Sequence, residues 1–318
     1  MGAPAPLISI PQAPTPSGGH AEWFYGSDGA RLRAALFPPP GPARGSVVLS
    51  PGRTEPIEKY FETIADLTDR GFQVLVHDWR GQGLSQRLLP DPLKGHAHGF
   101  AQFLADHRAL LDVFGPRLAE PWLALGHSMG GCLVLLALVA GEDRFAGAVL
   151  SAPMLAVSTA PWPTAVARAL AWFAGRLGQS GGYVGAPYDP LAYRFGADVL
   201  THDRTRYDRY KAQLRAEPKL ALSAPTWAWL EFALSAGDAL AAPGALEAVV
   251  PPVTLVLAGD DRLVSNRASR SAAARLPGGR CVEIPGAYHE ILMETDDRRD
   301  QFWVAFDQLA DRISPRPA

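Results

Sequence analysis

Apolar and polar positions alternate along this chain in blocks that predict strands and helices in turn. Two apolar stretches within Glu22–Phe37 are joined by Gly26-Ser27-Asp28-Gly29, a turn sequence typical of an antiparallel hairpin. The segment Ile57–Arg70 has its apolar residues at helical spacing and ends before Gly71, which favours chain reversal. The hairpin is therefore expected to precede a region in which strands and helices alternate.

The same alternation continues to the end of the chain. Predicted strands cover 46–49, 72–76, 121–125, 146–150, 253–257 and 281–284, and predicted helices cover 57–70, 100–118, 132–140, 266–275 and 298–313. Strands that alternate with helices build a mostly parallel sheet covered on both faces. The pattern therefore predicts the α/β class.

One long segment interrupts the alternation between Leu150 and Val253. We expect it to form a helical cap, inserted after the sixth predicted strand. The Pro- and Ala-rich residues 1–20 are expected to form a flexible arm. The predicted organisation is thus an arm over 1–20, a core formed by 21–152 and 246–318, and a cap over 153–245.

A serine lies between two glycines at the predicted junction of a strand and a helix, in Gly126-His127-Ser128-Met129-Gly130. This arrangement is typical of a nucleophile elbow, in which the serine hydroxyl points away from the sheet. The first amides of the following helix, beginning with Met129 N–H, would face the position of an oxyanion. Ser128 is therefore the predicted nucleophile.

A serine hydroxyl needs a histidine base, and the histidine needs a carboxylate that fixes its tautomer. Candidates follow two late predicted strands: Asp260 and Asp261 after 253–257, and His289 after 281–284. The order Ser, Asp, His is that of the α/β-hydrolase fold. We favour Asp261 as the acid, and we expect Asp260 to accept hydrogen bonds from backbone amides of the turn.

Other polar residues near these motifs are interpreted as structural. His127 is expected to pack beneath the elbow, and Asp78 and Arg80 are expected to shape a loop beside the site. Glu290 adjoins His289, but a carboxylate cannot replace imidazole as the proton shuttle.

The second oxyanion donor is expected in the loop Ser50–Thr54, after the strand that precedes the first helix. Pro51 has no N–H, and Gly52 allows the chain to approach a substrate closely. The backbone N–H of Arg53 is the predicted donor.

The chain resembles the bacterial lysophospholipase and monoacylglycerol lipase branch of the α/β-hydrolases, often grouped with serine aminopeptidase-like hydrolases. The resemblance extends from about residue 20 to 313 and rests on LSPGRTEPIEKY, VHDWRGQGLSQRLLPDPLKGHAHGF, LGHSMGG, LSAPM, LTHDRTRYDRY, GDDRLVSN and GAYHEIL. It implies the α/β-hydrolase fold, no metal and no organic cofactor. It also implies roles for Ser128, Asp261 and His289 and for the amides of Arg53 and Met129. Pro51-Gly52 stands where the family often has His-Gly, and related bacterial lysophospholipases share Pro-Gly-Arg.

The predicted cap holds four of the eight tryptophans. Its segment Pro163–Leu177 is too apolar for a fully solvated helix, so it forms an acyl-chain tunnel or membrane-touching lid, or else packs the cap onto the core. A basic run over Thr201–Lys219 would attract a phosphate headgroup or an anionic bilayer, or would be a solvated helix face. The candidate substrate-binding residues are Trp162, Trp172, Phe173, Trp227 and Trp229.

Composition narrows the class of protein. A net charge of −2 over 318 residues, with no basic tail, argues against a nucleic-acid partner. Cys132 and Cys281 lie far apart, which predicts buried thiols and a reducing compartment. The N-terminal segment lacks a signal-peptide pattern. We therefore expect a cytoplasmic protein, peripheral on the membrane if the cap touches lipid; the sequence does not indicate an oligomeric state.

These observations favour hydrolysis of the carboxylic ester of a single-chain lipid, above all a lysophospholipid, through an acyl-enzyme on Ser128. Monoacylglycerol, a small ester and an N-terminal peptide amide are alternative substrates. An alternative of another class is a non-catalytic lipid-binding protein on a hydrolase scaffold.

Overall fold

The computed structural model of the chain describes residues 2–192, 194–196 and 200–316. The described strands form a single sheet in the order β1-β2-β3-β5-β4-β6-β7-β8-β9. Contacts from β1 to β3 and between β3 and β5 are antiparallel, and all others are parallel. The strands are β1 (Pro4–Ala5), β2 (His20–Tyr25), β3 (Arg31–Phe37), β4 (Gly45–Ser50), β5 (Phe72–Asp78), β6 (Trp122–His127), β7 (Phe145–Ser151), β8 (Val253–Ala258) and β9 (Gly279–Ile284).

Helices cover both faces of the sheet, which confirms the predicted α/β architecture. One apolar core contains side chains of α2, α3, α6 and α7, and the other contains side chains of α1 and α8. Every residue of β4 and β6 is buried, as expected for central strands between two helical layers. The helices are α1 (Phe61–Asp69), α2 (Phe100–Phe114), α3 (Met129–Val139), α4 (Thr164–Arg176), α5 (Arg204–Ala216), α6 (Trp227–Ala241), α7 (Asn266–Arg275) and α8 (Asp296–Ile313).

The inserted segment between β7 and β8 carries α4, α5 and α6. It follows the seventh strand rather than the sixth, because Pro4–Ala5 forms a strand that the sequence pattern did not reveal. Helix α4 packs on α6 through Ala167 and Ala171, which contact the region of Leu230 and Leu234. The described helices include none that is both long and apolar enough to cross a bilayer.

The prediction of a flexible N-terminal arm is wrong for the described residues, which exclude Met1. Strand β1 pairs with β2, and the amide of Gly2 donates to Glu22 at 2.7 Å. Further along, the amide of Ile8 donates to Glu58 at 3.1 Å. A Pro-rich stretch is extended already, so it can add an edge strand once carboxylates of the core accept its free amides.

The prediction of two buried thiols holds for Cys132 and fails for Cys281. Cys132 lies in α3 within the core, whereas Cys281 lies exposed on β9. Strand β9 is the last strand of the sheet, and most of its residues face solvent. The strand pattern gave no sign of this edge position.

Candidate active site

Ser128 lies at a strained turn between β6 and α3. Its backbone has φ 50° and ψ −114°, in the region of positive φ that non-glycine residues rarely adopt. The turn is tight because α3 approaches β4 closely: a Cβ on Gly130 would clash with the carbonyl oxygens of Ser50 and Pro51. The strain is therefore maintained by the packing of α3 against the neighbouring strand end.

Three predicted residues lie in one hydrogen-bonded chain. His289 Nε2 is 2.9 Å from Ser128 Oγ, and His289 Nδ1 is 2.7 Å from Asp261 Oδ2. Ser128 follows β6, while Asp261 and His289 lie in the loops after β8 and β9. Parallel strands end at the same edge of the sheet, so loops far apart in sequence meet there.

Asp261 is fixed on both of its carboxylate oxygens. While Oδ2 faces His289, Oδ1 accepts hydrogen bonds from the amides of Leu263 at 2.8 Å and Val264 at 3.0 Å. Burial by itself would raise the pKa of Asp261, but the hydrogen bonds from His289 and the two amides outweigh it and lower the pKa. Turn amides were expected to face Asp260; they donate to Asp261 instead, because the turn after β8 places that residue inward.

Some backbone amides of the loop Pro51–Glu55 donate to side chains of the protein, and another is left for a ligand. Gly52 N–H donates to Glu55 Oε2 and Thr54 N–H donates to Gln82 Oε1, both at 2.6 Å. Neither Arg53 N–H nor Met129 N–H has a hydrogen-bond acceptor within the described ranges. Both predicted oxyanion donors thus have an N–H available for a ligand.

A buried ionic cluster that the sequence analysis missed lies beside this loop. Lys59 Nζ is 2.9 Å from Glu55 Oε1 and 2.6 Å from Glu290 Oε1, and Tyr60 Oη donates to Glu55 Oε2 at 2.5 Å. Glu55 also accepts the Gly52 amide, so the cluster is connected to the oxyanion loop. Sequence separation conceals it: Glu55 and Lys59 share one turn, but Glu290 is brought to them only by the fold.

Mutual contact favours the charged forms of Glu55 and Lys59, two members of the cluster. Burial would raise the pKa of Glu55, but Lys59 and His127 lower it to about 2. For Lys59, burial opposes the charge while Glu290 and Glu55 raise the pKa above its ordinary value. For Glu290, burial dominates and raises the pKa. A removed member would therefore leave an uncompensated buried charge.

His127 lies beneath the elbow, as the sequence predicts. Its Nδ1 is 3.1 Å from the carbonyl oxygen of Ser151, and its ring centroid is 5.0 Å from that of His289. Burial lowers the pKa of His127 to about 4. The ring is therefore neutral near pH 7 and places no second positive charge beside His289.

Asp78 and Arg80 have structural roles close to the ones expected. Asp78 is buried, faces Arg33 Nε at 2.7 Å, and accepts the amides of Leu84 at 2.8 Å and Ile57 at 3.0 Å. Arg80 pairs with Asp106 beneath the same loop. Asp78 thus joins the end of β5 to β3 and to the segment before α1, and Arg80 joins the following loop to α2.

A cavity of about 450 Å³ opens onto Ser128 and His289. Its walls come from the core and from the cap. Polar groups, among them Arg53, Lys59 and Tyr210, form part of the lining. The apolar part is formed by Met154, Val157, Leu200, Leu214, Leu222, Trp229, Leu263, Val264 and Met293.

Of the five aromatic residues predicted to bind substrate, Trp229 lines the cavity and the other four do not. Trp162, Trp172 and Phe173 have exposed fractions of 39%, 49% and 56%, and Trp227 stacks on Trp162 with centroids 6.3 Å apart. For Trp172 and Phe173 the reason is the orientation of α4: its alanines face α6, which turns these larger side chains outward.

Part of the basic run forms ion pairs and hydrogen bonds within the protein, while Arg204, Arg215 and Lys219 are exposed. Arg206 is 2.6 Å from Glu62 and 2.7 Å from Asp203, and Arg209 also pairs with Glu62. Because Glu62 belongs to α1, these pairs join the cap to the core. Lys211 lines the cavity and donates to the carbonyl oxygen of Pro190 at 2.6 Å.

Comparison with known proteins extends the resemblance stated from the motifs. The chain is 36% identical over 278 residues to lysophospholipase L2 of Escherichia coli (strain K12), covering 83% of this chain and 79% of that protein. It is 26% identical over 280 residues to the monoacylglycerol lipase of Mycolicibacterium smegmatis, covering 86% and 91%.

Among solved structures, a soluble variant of monoglyceride lipase from Saccharomyces cerevisiae matches with a TM-score of 0.74 at 21% identity, covering 98% of this chain and 99% of that one. At that identity the match shows the fold, which is the α/β-hydrolase fold. The family model described as serine aminopeptidase, S33, matches residues 41–296. The predicted family is confirmed: the chain belongs to the serine aminopeptidase S33 family and is a serine hydrolase.

Proposed function

We propose that this protein hydrolyses the carboxylic ester of a single-chain lipid, with a lysophospholipid as the favoured substrate. The observation that carries the proposal is the chain Ser128–His289–Asp261 at the mouth of a largely apolar cavity. The apolar side chains of its lining suit an acyl chain, and its polar side chains suit a polar headgroup. The similarity to the lysophospholipase of Escherichia coli supports the choice of substrate.

The geometry accounts for each step of an acyl-enzyme mechanism. Nε2 of His289, 2.9 Å from Ser128 Oγ, accepts the hydroxyl proton as the oxygen attacks the ester carbonyl. The amides of Arg53 and Met129 donate to the oxyanion of the tetrahedral intermediate. His289 then passes the proton to the leaving alcohol, and a water molecule repeats the sequence on the acyl-enzyme. Asp261 orients the imidazole and stabilises its protonated form.

The outer face of α4 is proposed to contact the membrane surface. Val166, Trp172 and Phe173 on this helix, and Leu177 directly after it, have exposed fractions of 44% to 74%. Its charged residues are Arg168 and Arg176, and it contains no acidic residue. A helix with exposed aromatic side chains and basic charges suits the interface of an anionic bilayer. Such a contact would bring the cavity to its lipid substrate.

A neutral monoacylglycerol is the second candidate substrate, favoured by the similarity to the Mycolicibacterium smegmatis lipase. The triad chemistry is the same for both lipids and for a small ester. A non-catalytic lipid-binding role would require that Ser128 be unreactive, and a fluorophosphonate probe tests this by labelling an activated serine.

The deciding experiment compares initial rates on lysophosphatidylcholine, on a monoacylglycerol with the same acyl chain and on p-nitrophenyl butyrate, for the wild type and Ser128→Ala. We expect the lysophospholipid to be hydrolysed fastest and the variant to be inactive on all three. Faster hydrolysis of monoacylglycerol would replace the favoured substrate. Turnover of the short ester alone would refute the lipid assignment.

A further inference from the structure

The oxyanion loop carries a cationic side chain into the cavity. The guanidinium of Arg53 lines the cavity with Tyr188, Tyr210 and Trp229, and its Cζ is 5.3 Å from the centroid of the Trp229 ring. Its Nη2 donates to the carbonyl oxygen of Ser223 in the cap. The guanidinium is therefore positioned by contacts with both the core and the cap.

The guanidinium of Arg53 lies against Gly95, where a side chain would not fit. A Cβ on Gly95 would come within 2.7 Å of Nη2, so a larger residue there would displace it. The Nε atom, which would lie 3.0 Å from the same Cβ, is shielded from solvent and has no hydrogen-bond partner among the described residues. The pocket thus encloses the guanidinium and leaves one of its donors unused.

Two other cations that line the cavity, Lys59 and Arg206, have carboxylates as partners, whereas Arg53 has none in an ion pair among the described residues. Lys59 lies between two carboxylates, and Arg206 pairs with Glu62 and Asp203. Arg53 has hydroxyl and carbonyl partners, and within the described part of the chain no carboxylate forms an ion pair with it. Burial lowers the pKa of the guanidinium, an effect that the Tyr188 hydroxyl partly offsets.

An enclosed guanidinium without a counter-ion costs free energy, and an anion of the ligand would remove that cost. Arginine binds phosphate through several N–H groups at once, which makes phosphate a fitting anion. The backbone N–H of the same residue is the proposed donor to the ester oxyanion. A ligand that uses both groups needs an anion a short distance from its ester, as in a lysophospholipid, where a glycerol unit separates the two.

We propose that the Arg53 guanidinium binds the phosphate of a single-chain phospholipid and thereby selects it over a neutral monoacylglycerol. The inference rests on the proposed function, because it presumes that the ester bond of that lipid lies at Ser128. It assigns two functions to one residue: the amide serves the ester and the side chain serves the headgroup.

The test measures kcat/KM for 1-palmitoyl-lysophosphatidylglycerol and for 1-palmitoylglycerol in the wild type, Arg53→Met and Arg53→Lys. Loss of a charge-assisted hydrogen bond predicts that Arg53→Met lowers the ratio of the two values by roughly tenfold or more, with Arg53→Lys intermediate. The ratio is the readout, since disturbance of the oxyanion loop would lower both values together. An equal loss on both substrates would overturn the inference.

Arg280→Met is the matched control, because it removes an exposed positive charge on β9 outside the cavity. The ratio should remain at the wild-type value in this variant. A fall as large as that in Arg53→Met would mean that net charge, acting on the charged lipid surface, causes the preference, and would refute a headgroup site at Arg53.

A binding measurement separates this inference from the proposed function. In the Ser128→Ala background, a non-hydrolysable 1-O-hexadecyl-glycerophosphate should bind more weakly once Arg53 is changed to Met. If the wild type hydrolyses neither lipid, the proposed function fails. The binding measurement still tests the anion site, because weaker binding in Arg53→Met supports it and equal binding refutes it. Inhibition by inorganic phosphate that depends on Arg53, without any change in the substrate ratio, would overturn the headgroup assignment in favour of free phosphate.

Discussion

At the scale of single residues, the proposed chemistry depends on His289 and Asp261, which hydrogen bonds hold in place. His289 lies between Ser128 and Asp261, and Asp261 is held by two further amides. Such orientation before the substrate arrives removes much of the cost of arranging the reacting groups. The sequence motifs identified these three residues, because each follows a strand with a recognisable apolar pattern.

Ser128→Ala should lower kcat/KM on order of 10⁴-fold or more, as expected for loss of the nucleophile. The free energy of unfolding should change by no more than about 0.5 kcal/mol, because the hydroxyl lies at the cavity rather than in the apolar core. Activity assays and urea denaturation measure the two effects. Ser158→Ala is the control, since Ser158 also lines the cavity but lies outside the triad; a similar loss there would contradict the assignment.

Lys59→Met should destabilise the fold by about 3–5 kcal/mol, because it leaves Glu55 and Glu290 as unpaired buried carboxylates. Urea denaturation measures the loss. Combining Lys59→Met with Glu55→Gln and Glu290→Gln removes the uncompensated charge and should recover part of the stability. A loss below about 1 kcal/mol in the single variant would show that the cluster is well solvated.

At the scale of secondary-structure elements, the site depends on how closely α3 approaches β4 and on which face α4 turns outward. The elbow glycines in the sequence predict the first feature, since a small residue is needed where two backbones meet. The orientation of α4 was not predictable: the helix presents alanines on one side and larger apolar residues on the other, and spacing alone does not say which side is buried.

Gly130→Ala should destabilise the protein by about 1–3 kcal/mol and reduce kcat, because its Cβ would force the backbone of Ser50 and Pro51 away from α3. Thermal unfolding and steady-state kinetics test this. Gly175→Ala is the matched control in α4, where a Cβ meets no neighbouring atom. It should be neutral or slightly stabilising, by up to about 1 kcal/mol. Equal effects at the two glycines would contradict a close approach at Gly130.

Replacing Trp172 and Phe173 by serine should weaken binding to anionic vesicles by more than about tenfold, since each buried apolar side chain contributes roughly 2 kcal/mol. Vesicle sedimentation measures the partition coefficient. Hydrolysis of p-nitrophenyl butyrate should persist, because neither residue lines the cavity. Tyr25→Ser is the control, a 62% exposed aromatic residue on β2; weakening as large as in the α4 variant would argue against a specific contact of α4.

At the scale of the whole molecule, a single sheet brings together loops that are far apart in the chain and closes the cavity with an inserted cap. The ion pairs of α5 with Glu62 and the contact of Arg53 with Ser223 join cap and core. The fold also buries several histidines besides His289. Their titration links the stability of the whole fold to pH.

Stability should fall as the solution is acidified from about pH 6.5 toward pH 4. Burial lowers the pKa of His107 and His127 to about 4, and also lowers that of His77. The unfolded chain binds protons at these histidines near pH 6.5, and the folded chain binds them only at lower pH, near pH 4 for His107 and His127. Acid therefore favours unfolding, by roughly 2 kcal/mol between pH 6.5 and pH 5 for each of His107 and His127.

Urea denaturation at several pH values measures this slope. His107→Phe should reduce it, because the ring packs near Phe145 and the replacement cannot bind a proton. The exposed His20, replaced by Phe, should leave the slope as it is in the wild type. An unchanged slope in His107→Phe would contradict a neutral buried imidazole at that position.

Within the core from β2 onward, the sequence by itself determined the order of strands and helices, the elbow at Ser128 and the loops that hold Asp261 and His289. These features are local: a few neighbouring residues specify a strand end or a tight turn. Tertiary structure alone decided the pairing of residues 4–5 with β2, the outward face of α4, the Lys59 cluster and the enclosure of Arg53. Each of these depends on contacts between distant segments, and the burial that decides them exists only once the sheet and cap have packed together.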